Sequence, residues 1–381
     1  MSRDFLRQLP HAHHAFRVRA SLLGRLHIDG WLLLLLLLLC AIGLAVLYSA
    51  SDQSMATVHR QATRFGIALG VMFVIAQISP HHYRLWSPWL YGLGVLMLIA
   101  VLVLGVGAKG AQRWLAIPGL PRFQPSEIMK VAVPMALAGY FADRYLPPRI
   151  KHVMGGLVFI VIPTLLIAKQ PDLGTSLLIC ASGLFVLLFA GIQWRLIFGF
   201  AAMVSACLPL FWMFLMKEYQ KQRVMTFLNP ESDLHGSGWN IIQSKIAIGS
   251  GGLDGKGWLQ GTQSHLDFLP ESHTDFIIAV FAEEFGFFGV LGLLLLYLLI
   301  VTRCLFIAVR ADDTYSRLLA GSLTLTFFFY FFVNIGMVTG LLPVVGLPLP
   351  LISYGGTSIV TLFVGFGMLM SIQTHKKVLP R

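Results

Sequence analysis

Ten apolar runs dominate this chain, at about 31–50, 63–79, 86–107, 126–142, 152–168, 173–192, 195–216, 276–308, 316–341 and 351–373. Each reaches or approaches the roughly 20 residues that an α-helix needs to cross a hydrocarbon layer. Only 12% of residues are charged, where soluble domains carry about 25%, and the mean hydropathy is +0.76. This pattern predicts an all-α polytopic membrane protein with about ten transmembrane helices. Pro and polar residues interrupt the runs at 126–142, 152–168 and 173–192. The eighth run is too long for one straight crossing, which predicts a tilt or an extension into the cytoplasm. The first run follows 30 residues with five Arg and is about twice the length of a signal-peptide core, so it reads as an uncleaved anchor.

Lys and Arg set the expected orientation. One set of short segments holds 16 of the 28 basic residues, the opposite set holds seven, and five lie in a long loop where the rule does not count. Both termini are therefore expected in the cytoplasm: a tail over 1–30, a ten-span membrane domain over 31–373, and a second tail over 374–381. The net charge of +11 follows from this bias and from contact with anionic lipid, not from nucleic-acid binding. Cys40, Cys180, Cys207 and Cys304 all fall inside apolar runs, so they read as core residues and not as a disulfide framework. His11, His13 and His14 read as part of a solvated tail and not as a metal site.

The one long loop, 217–275, is expected outside the cytoplasm and ends on Asp275, at the lip of the eighth run. Asp275 stands in Pro270-Glu271-Ser272-His273-Thr274-Asp275-Phe276. As a helix cap it would contribute about 0.5–2 kcal/mol; the alternative is a general base set against an apolar wall. His273 is close enough to tune it or to bind the headgroup region. Glu127 and Asp172 also open spans, where an ionisable group needs a reason to be. Gln124-Pro125-Ser126-Glu127-Ile128-Met129-Lys130 places Pro at a helix start with Glu127 and Lys130 on one face, preceded by Arg113. Lys169-Gln170-Pro171-Asp172 starts a second such helix, with its acid in the first turn.

Arg223, Lys245 and Lys256 supply outward cations near a Gly-rich turn, as binding a diphosphate requires. The turn is not a Walker A loop, because Gly257 follows Lys256 where Ser or Thr is needed. Residues 240–248 read as an amphipathic interfacial helix that the following glycines break. Glu283 and Glu284 lie about 12–14 Å beyond Asp275 along a continuous helix. They could line a cavity, relay protons or pair with a neighbouring span; structural pairing is favoured. No CxxC, HExxH or Ser-His-Asp pattern is present.

The stretches QRWLAIPGLPRFQPSEIMK, KQPDLGTSLL, QRVMTFLNPESD, GWNIIQSKIAIGSGGLDGKGWLQGTQSHLDFLPESHTDFI, AEEFGFFG and GLLPVVGLPLPLISYGGTS resemble the SEDS family (shape, elongation, division and sporulation), on its rod-elongation branch. The resemblance runs from about Trp31 to the C-terminus and leaves the N-terminal tail without a motif. It implies a peptidoglycan glycosyltransferase of the inner membrane that polymerises lipid II into a glycan strand on the outer face. It also implies Asp275 as the catalytic Asp of the HTDF motif, Glu127 and Lys130 as the PSE-x-x-K pair, and Asp172 as the PDLG acid. The implied partners are a class B penicillin-binding protein transpeptidase and other proteins of the rod-elongation complex. Mg²⁺ or Mn²⁺ bridging the diphosphate and an acid is compatible with this chemistry, but no ligand cluster demands a metal. The alternatives are a lipid II flippase or transporter, favoured by Glu283, Glu284 and Lys130 within the membrane, and a non-catalytic scaffold.

Overall fold

Each of the ten apolar runs forms a helix in the computed structural model, which describes residues 26–108, 111–115, 123–216, 218–233, 237–262 and 272–375. These helices are α1 (Gly30–Ala50), α2 (Met55–Gln77), α3 (Pro80–Leu104), α4 (Pro125–Ala142), α5 (Ile150–Lys169), α6 (Leu173–Phe189), α7 (Trp194–Leu210), α10 (Ile277–Val309), α11 (Thr314–Val338) and α12 (Thr357–Thr374). Two further helices, α8 (Glu218–Leu228) and α9 (Ser237–Gly251), fold within the long loop, and a short hairpin of β1 (Val106–Ala108) and β2 (Ala111–Trp114) joins α3 to α4. Among the described residues, α1, α3, α5, α10, α11 and α12 are each long and apolar enough to cross a membrane by themselves. α2 and α4 instead carry polar and charged side chains into the bundle. His11, His13, His14, Glu271 and the basic residues Lys376, Lys377 and Arg381 lie outside the described residues.

Up-and-down alternation brings the starts of α2, α4, α6, α10 and α12 to the same end as the finishes of α1, α3, α5 and α11. At the other end, Arg303 near the finish of α10 pairs with Asp29, the buried N-cap of α1. The helix over 240–248 exists, but α9 is not a helix lying free in the interface. Ile241, Ser244 and Ala247 are buried, and the Ser244 hydroxyl donates to the Val338 carbonyl at 2.8 Å. α9 therefore packs on α10 and on the end of α11.

The eighth run departs from the expected straight, tilted helix. α10 breaks at Gly286 (φ 65°, ψ −164°), a backbone region reserved almost wholly for glycine. A break there opens the i→i−4 ladder and frees, among others, the N–H groups of 287 and 288 and the carbonyls of 283 and 284. The turn that follows α9 restores all four groups. Lys256 and Gly257 donate to the Glu283 and Glu284 carbonyls, both at 3.0 Å, and the N–H groups of Phe287 and Phe288 donate to the Gly252 and Leu253 carbonyls at 3.0 and 3.2 Å. The backbones approach so closely that a Cβ on Gly286 would lie 2.3 Å from the Gly255 nitrogen, and one on Gly255 would lie 2.1 Å from the Glu284 carbonyl oxygen.

The tenth run also differs, because α12 begins at Thr357 and residues 341–356 form a non-helical segment. That segment dips into the bundle. Leu347, Leu349, Leu351 and Ile352 are buried, and Gly43 of α1 leaves room for the Leu351 carbonyl. Gly43 lies about 10 Å inside the end of α1 at 1.5 Å per residue. Non-helical backbone at such depth survives only where protein satisfies it. Here Asn334 donates to the Leu347 carbonyl at 2.7 Å, Tyr297 to Pro350 at 2.6 Å, Gln61 to Ser353 at 3.2 Å and Arg64 to Gly355 at 2.9 Å.

Gly255→Ala tests the repair at Gly286. Gly255 has φ +82° and backbone on its Cβ side, so the substitution should cost at least about 1–3 kcal/mol and lower the thermal midpoint in detergent. Gly249→Ala, whose Cβ would meet nothing within 4 Å, should be neutral or slightly stabilising in the same melt.

Candidate active site

The interior of the bundle end that gathers these irregular segments is charged. Pro125 opens α4, where its missing N–H costs nothing, and places Glu127 in the first turn. Glu127 and Lys130 then fall one turn apart, with Lys130 Nζ 2.7 Å from Glu127 Oε1. Lys130 also donates to the Tyr330 hydroxyl of α11 at 2.7 Å, and Thr361 of α12 donates to Glu127 Oε2 at 2.8 Å. Both charged side chains are only 9% exposed, so this is not the surface pair that helical spacing alone would allow. Removing one partner of a buried pair strands the other, at a cost of about 3–5 kcal/mol.

Asp172 joins this cluster from α6. It is the N-cap of that helix and not a first-turn acid: Oδ1 accepts the Thr175 N–H at 3.2 Å, while Oδ2 accepts Gln124 Nε2 at 2.9 Å. The hairpin explains how Arg113 reaches the same place. Its guanidinium donates to the Pro171 carbonyl and its Nε lies 3.9 Å from Asp172 Oδ2.

Asp275 stands just before α10, and Phe276, not Asp275, occupies the N-cap position. The backbone around Asp275 is held in place. The carbonyls of three successive residues are each caught by a donor. Tyr354 N–H donates to His273 at 2.9 Å, the Ser353 hydroxyl to Thr274 at 2.5 Å, and Asn334 Nδ2 to Asp275 at 2.8 Å. Asn334 is fully buried and its amide nitrogen bonds the Asp275 and Leu347 carbonyls together. A Cβ on Gly346 would lie 3.6 Å from Asp275 Oδ2, which places the carboxylate over the same segment. The His273 ring meets Tyr354 edge-on with centroids 6.1 Å apart, and the Arg64 guanidinium lies 4.5 Å from the centre of the Tyr354 ring.

The two groups share α11. Tyr330 holds Lys130, and Asn334, one turn later on the same face, holds Asp275. A small cavity lined by Tyr330, Ser353, Gly355 and Ser358 lies against the dipping segment. Of the residues singled out in the sequence, Glu127, Lys130, Asp172, Arg113, Asp275 and His273 converge at this end of the bundle. Arg223 is half-buried on α8, and Lys245 of α9 lies across Gly340 at the end of α11. Lys256 is engaged elsewhere: its Nζ is 2.6 Å from Glu283 Oε1. Both intramembrane acids have partners, since Glu284 accepts from Ser49 of α1.

Tyr330, Asn334, Thr361 and Arg64 went unremarked in the sequence. Tyr330 and Asn334 do carry a signal, as two polar side chains one turn apart in a Phe-rich run. Among the described residues, no three His, Cys, Asp or Glu side chains gather as a metal site. An apolar cavity of about 500 Å³ between α5, α6 and α7 is lined by Ile150, Leu188 and Arg195 and so opens at the end of the bundle opposite Asp172.

This is a multi-pass helical membrane protein in which the Glu127, Lys130 and Asp172 cluster and the irregular backbone meet at one end. The cell cycle protein family model FTSW_RODA_SPOVE matches residues 30–378, and the chain belongs to that family. It is 53% identical over 357 residues to the peptidoglycan glycosyltransferase MrdB of Escherichia coli K12, covering 94% of this chain and 96% of the relative. It is 36% identical to the probable peptidoglycan glycosyltransferase FtsW of Trichlorobacter lovleyi, covering 92% and 94%. Among solved structures it resembles a chain from a peptidoglycan synthase complex that coordinates polymerization and crosslinking (TM-score 0.81, 30% identity, 92% of this chain and 99% of that one). It also resembles the rod shape determining protein RodA of Thermus thermophilus (TM-score 0.69, 28% identity, 92% and 98%).

Asn334→Leu should separate α11 from the segment that carries Asp275. Two buried carbonyls lose their donor, at about 1–3 kcal/mol for each group left unsatisfied. The expected result is a lower thermal midpoint together with faster amide exchange of the Tyr354 N–H, measured on the full chain in detergent.

Proposed function

We propose that this chain is a peptidoglycan glycosyltransferase that polymerises lipid II, with Asp275 as general base. The observation that carries this reading is the carboxylate of Asp275, held on three clamped carbonyls at the bundle end that also gathers Glu127, Lys130 and Asp172. The acceptor sugar's O4 attacks the donor's C1 with inversion, Asp275 takes the O4 proton, and undecaprenyl diphosphate departs. Proton removal by a positioned carboxylate contributes about 10²–10⁴-fold. Diphosphate is a good leaving group, so the reaction needs cationic stabilisation more than a general acid. Arg113, Lys130, Arg223 and Lys245 supply positive charge toward this end, and His273 borders Asp275. Glu127 holds Lys130 in place and Asp172 orients Arg113. The bias of 16 basic residues against seven supports cytoplasmic termini and a site that opens on the periplasmic face of the inner membrane.

The test is purified full-length chain with lipid II in detergent, with glycan products resolved on a gel. Wild type should yield polymer, and Asp275→Asn should abolish it while inserting and melting normally, because the amide keeps the shape and loses the basicity. Polymer from the Asn variant would remove Asp275 from this role. Translocation of lipid II across liposomes by a wild type that makes no polymer would favour the flippase.

A class B penicillin-binding protein transpeptidase within the rod-elongation complex is the proposed partner. The chain places no soluble domain in its described residues that could cross-link the strands it makes. Its docking face is sought on α10 and α11, whose phenylalanines divide: Phe327 and Phe331 are buried, whereas Phe287, Phe288 and Phe332 are exposed. Cysteines at 287, 288 and 332 should cross-link the partner's membrane helix. Capture from α3 or α5 but not from these three positions would rule out this docking face.

A further inference from the structure

The turn over 252–257 repairs the backbone of α10, and Lys256 adds a side-chain contact at the same point. Its main-chain N–H donates to the Glu283 carbonyl at 3.0 Å, and its Nζ lies 2.6 Å from Glu283 Oε1. Residue 256 therefore grips residue 283 twice. Glu283 is fully buried, and the same Oε1 accepts the Thr262 N–H at 2.8 Å and the Thr262 hydroxyl at 3.0 Å. Lys256 Nζ also donates to Thr262 Oγ1 at 2.8 Å. A carboxylate at this depth requires a cation and donors, and the loop provides both. The geometry is that of a latch, with a membrane helix holding the acid and the loop outside it holding the counter-charge.

We propose that Lys256 is a positioning residue that acts through Glu283. The pair locks the 252–257 turn into the break of α10 and so fixes the height and rotation of the short Ile277–Phe285 segment, at whose foot Asp275 stands. This rests on the assignment of Asp275 as the base. It differs from a role in which the Lys256 ammonium touches the substrate diphosphate, because here that charge is committed to a buried acid. The two roles separate on one comparison. If Lys256 serves Glu283, removing both charges leaves the turn seated; if it serves the substrate, removing Glu283 as well restores nothing.

The experiment compares wild type, Lys256→Met, Glu283→Gln and the double variant as full-length proteins in detergent. Amide hydrogen exchange of residues 256, 257, 287 and 288 reports the latch directly. Glycan polymerisation from lipid II, resolved into kcat and KM, reports its effect on the reaction. Lys256→Met should raise exchange at those four amides by at least about tenfold, as a local opening, and lower kcat by about tenfold with KM nearly unchanged. The double variant should return both to within about threefold of wild type, because replacing both members of a buried pair is far milder than breaking it. A double variant as slow as Lys256→Met, with a raised KM, would overturn the latch in favour of direct substrate contact. Wild-type protection of the four amides in an inactive Lys256→Met would overturn it without recourse to the double variant. A wild type that polymerises nothing would defeat the proposed activity, and the exchange pattern alone would then decide the latch.

Discussion

Hydrocarbon offers no hydrogen-bonding partner to a peptide group, and an unsatisfied one costs several kcal/mol. A helix meets that constraint by itself; every departure from a helix needs help from another part of the chain. Among the described residues, the backbone leaves the helix at depth at Gly286 and over residues 341–356. The first departure is repaired by backbone from the long loop, through four hydrogen bonds to groups that the break frees. The second is repaired by side chains, from Asn334, Tyr297, Gln61 and Arg64. Most of the remaining architecture follows from bringing those donors and acceptors to the right places.

The site inherits its rigidity from these repairs. Asp275 lies on neither a helix nor a free loop, but on a strip whose carbonyls are tied to the dipping segment and to α11. The cluster of Glu127, Lys130 and Asp172 lies on helix starts, where main-chain N–H groups are available and the helix dipole favours an acid. Helix α11 joins the two because Tyr330 and Asn334 are four residues apart, about 6 Å along the axis. The separation between the Asp275 main chain and the buried ion pair is thus set by one turn of one helix.

Much of this was legible in the sequence, and what was not has physical causes. Helix positions were readable because apolar length is a local property, and the ten apolar runs and the 240–248 pattern each overlap a helix, whereas α8 carried no such signal. Pro125 marked the start of α4, and Pro171 announced Asp172 at the start of α6. The break at Gly286 was hidden because Gly in an apolar membrane run is ordinary, and what makes this one special is Gly255, contributed from 31 residues earlier in the chain. Residues 351–356 read as helix because their composition is apolar enough, although their backbone is satisfied in large part by groups distant in the chain, the His273 carbonyl and the Gln61 and Arg64 side chains. The engagement of Lys256 by Glu283 was invisible for the same reason: each has a plausible local role, and only the folded loop shows that they belong to one another.

The order in which these parts emerge from the ribosome has a consequence of its own. The turn over 252–257 precedes the break at 286 in the chain, so it is synthesised before α10 exists. The dipping segment, by contrast, follows most of its donors: Gln61, Arg64, Tyr297 and Asn334 all come earlier than residue 347. Each irregular stretch therefore enters the membrane after the groups that will satisfy it have been made. Domains fold largely from the N-terminus during synthesis, and an order of this kind spares the nascent chain a period in which bare carbonyls face lipid. The same order constrains rearrangement of the gene: a circular permutation that placed 252–257 after α10 would keep every contact of the finished protein and remove the partner at the moment of insertion.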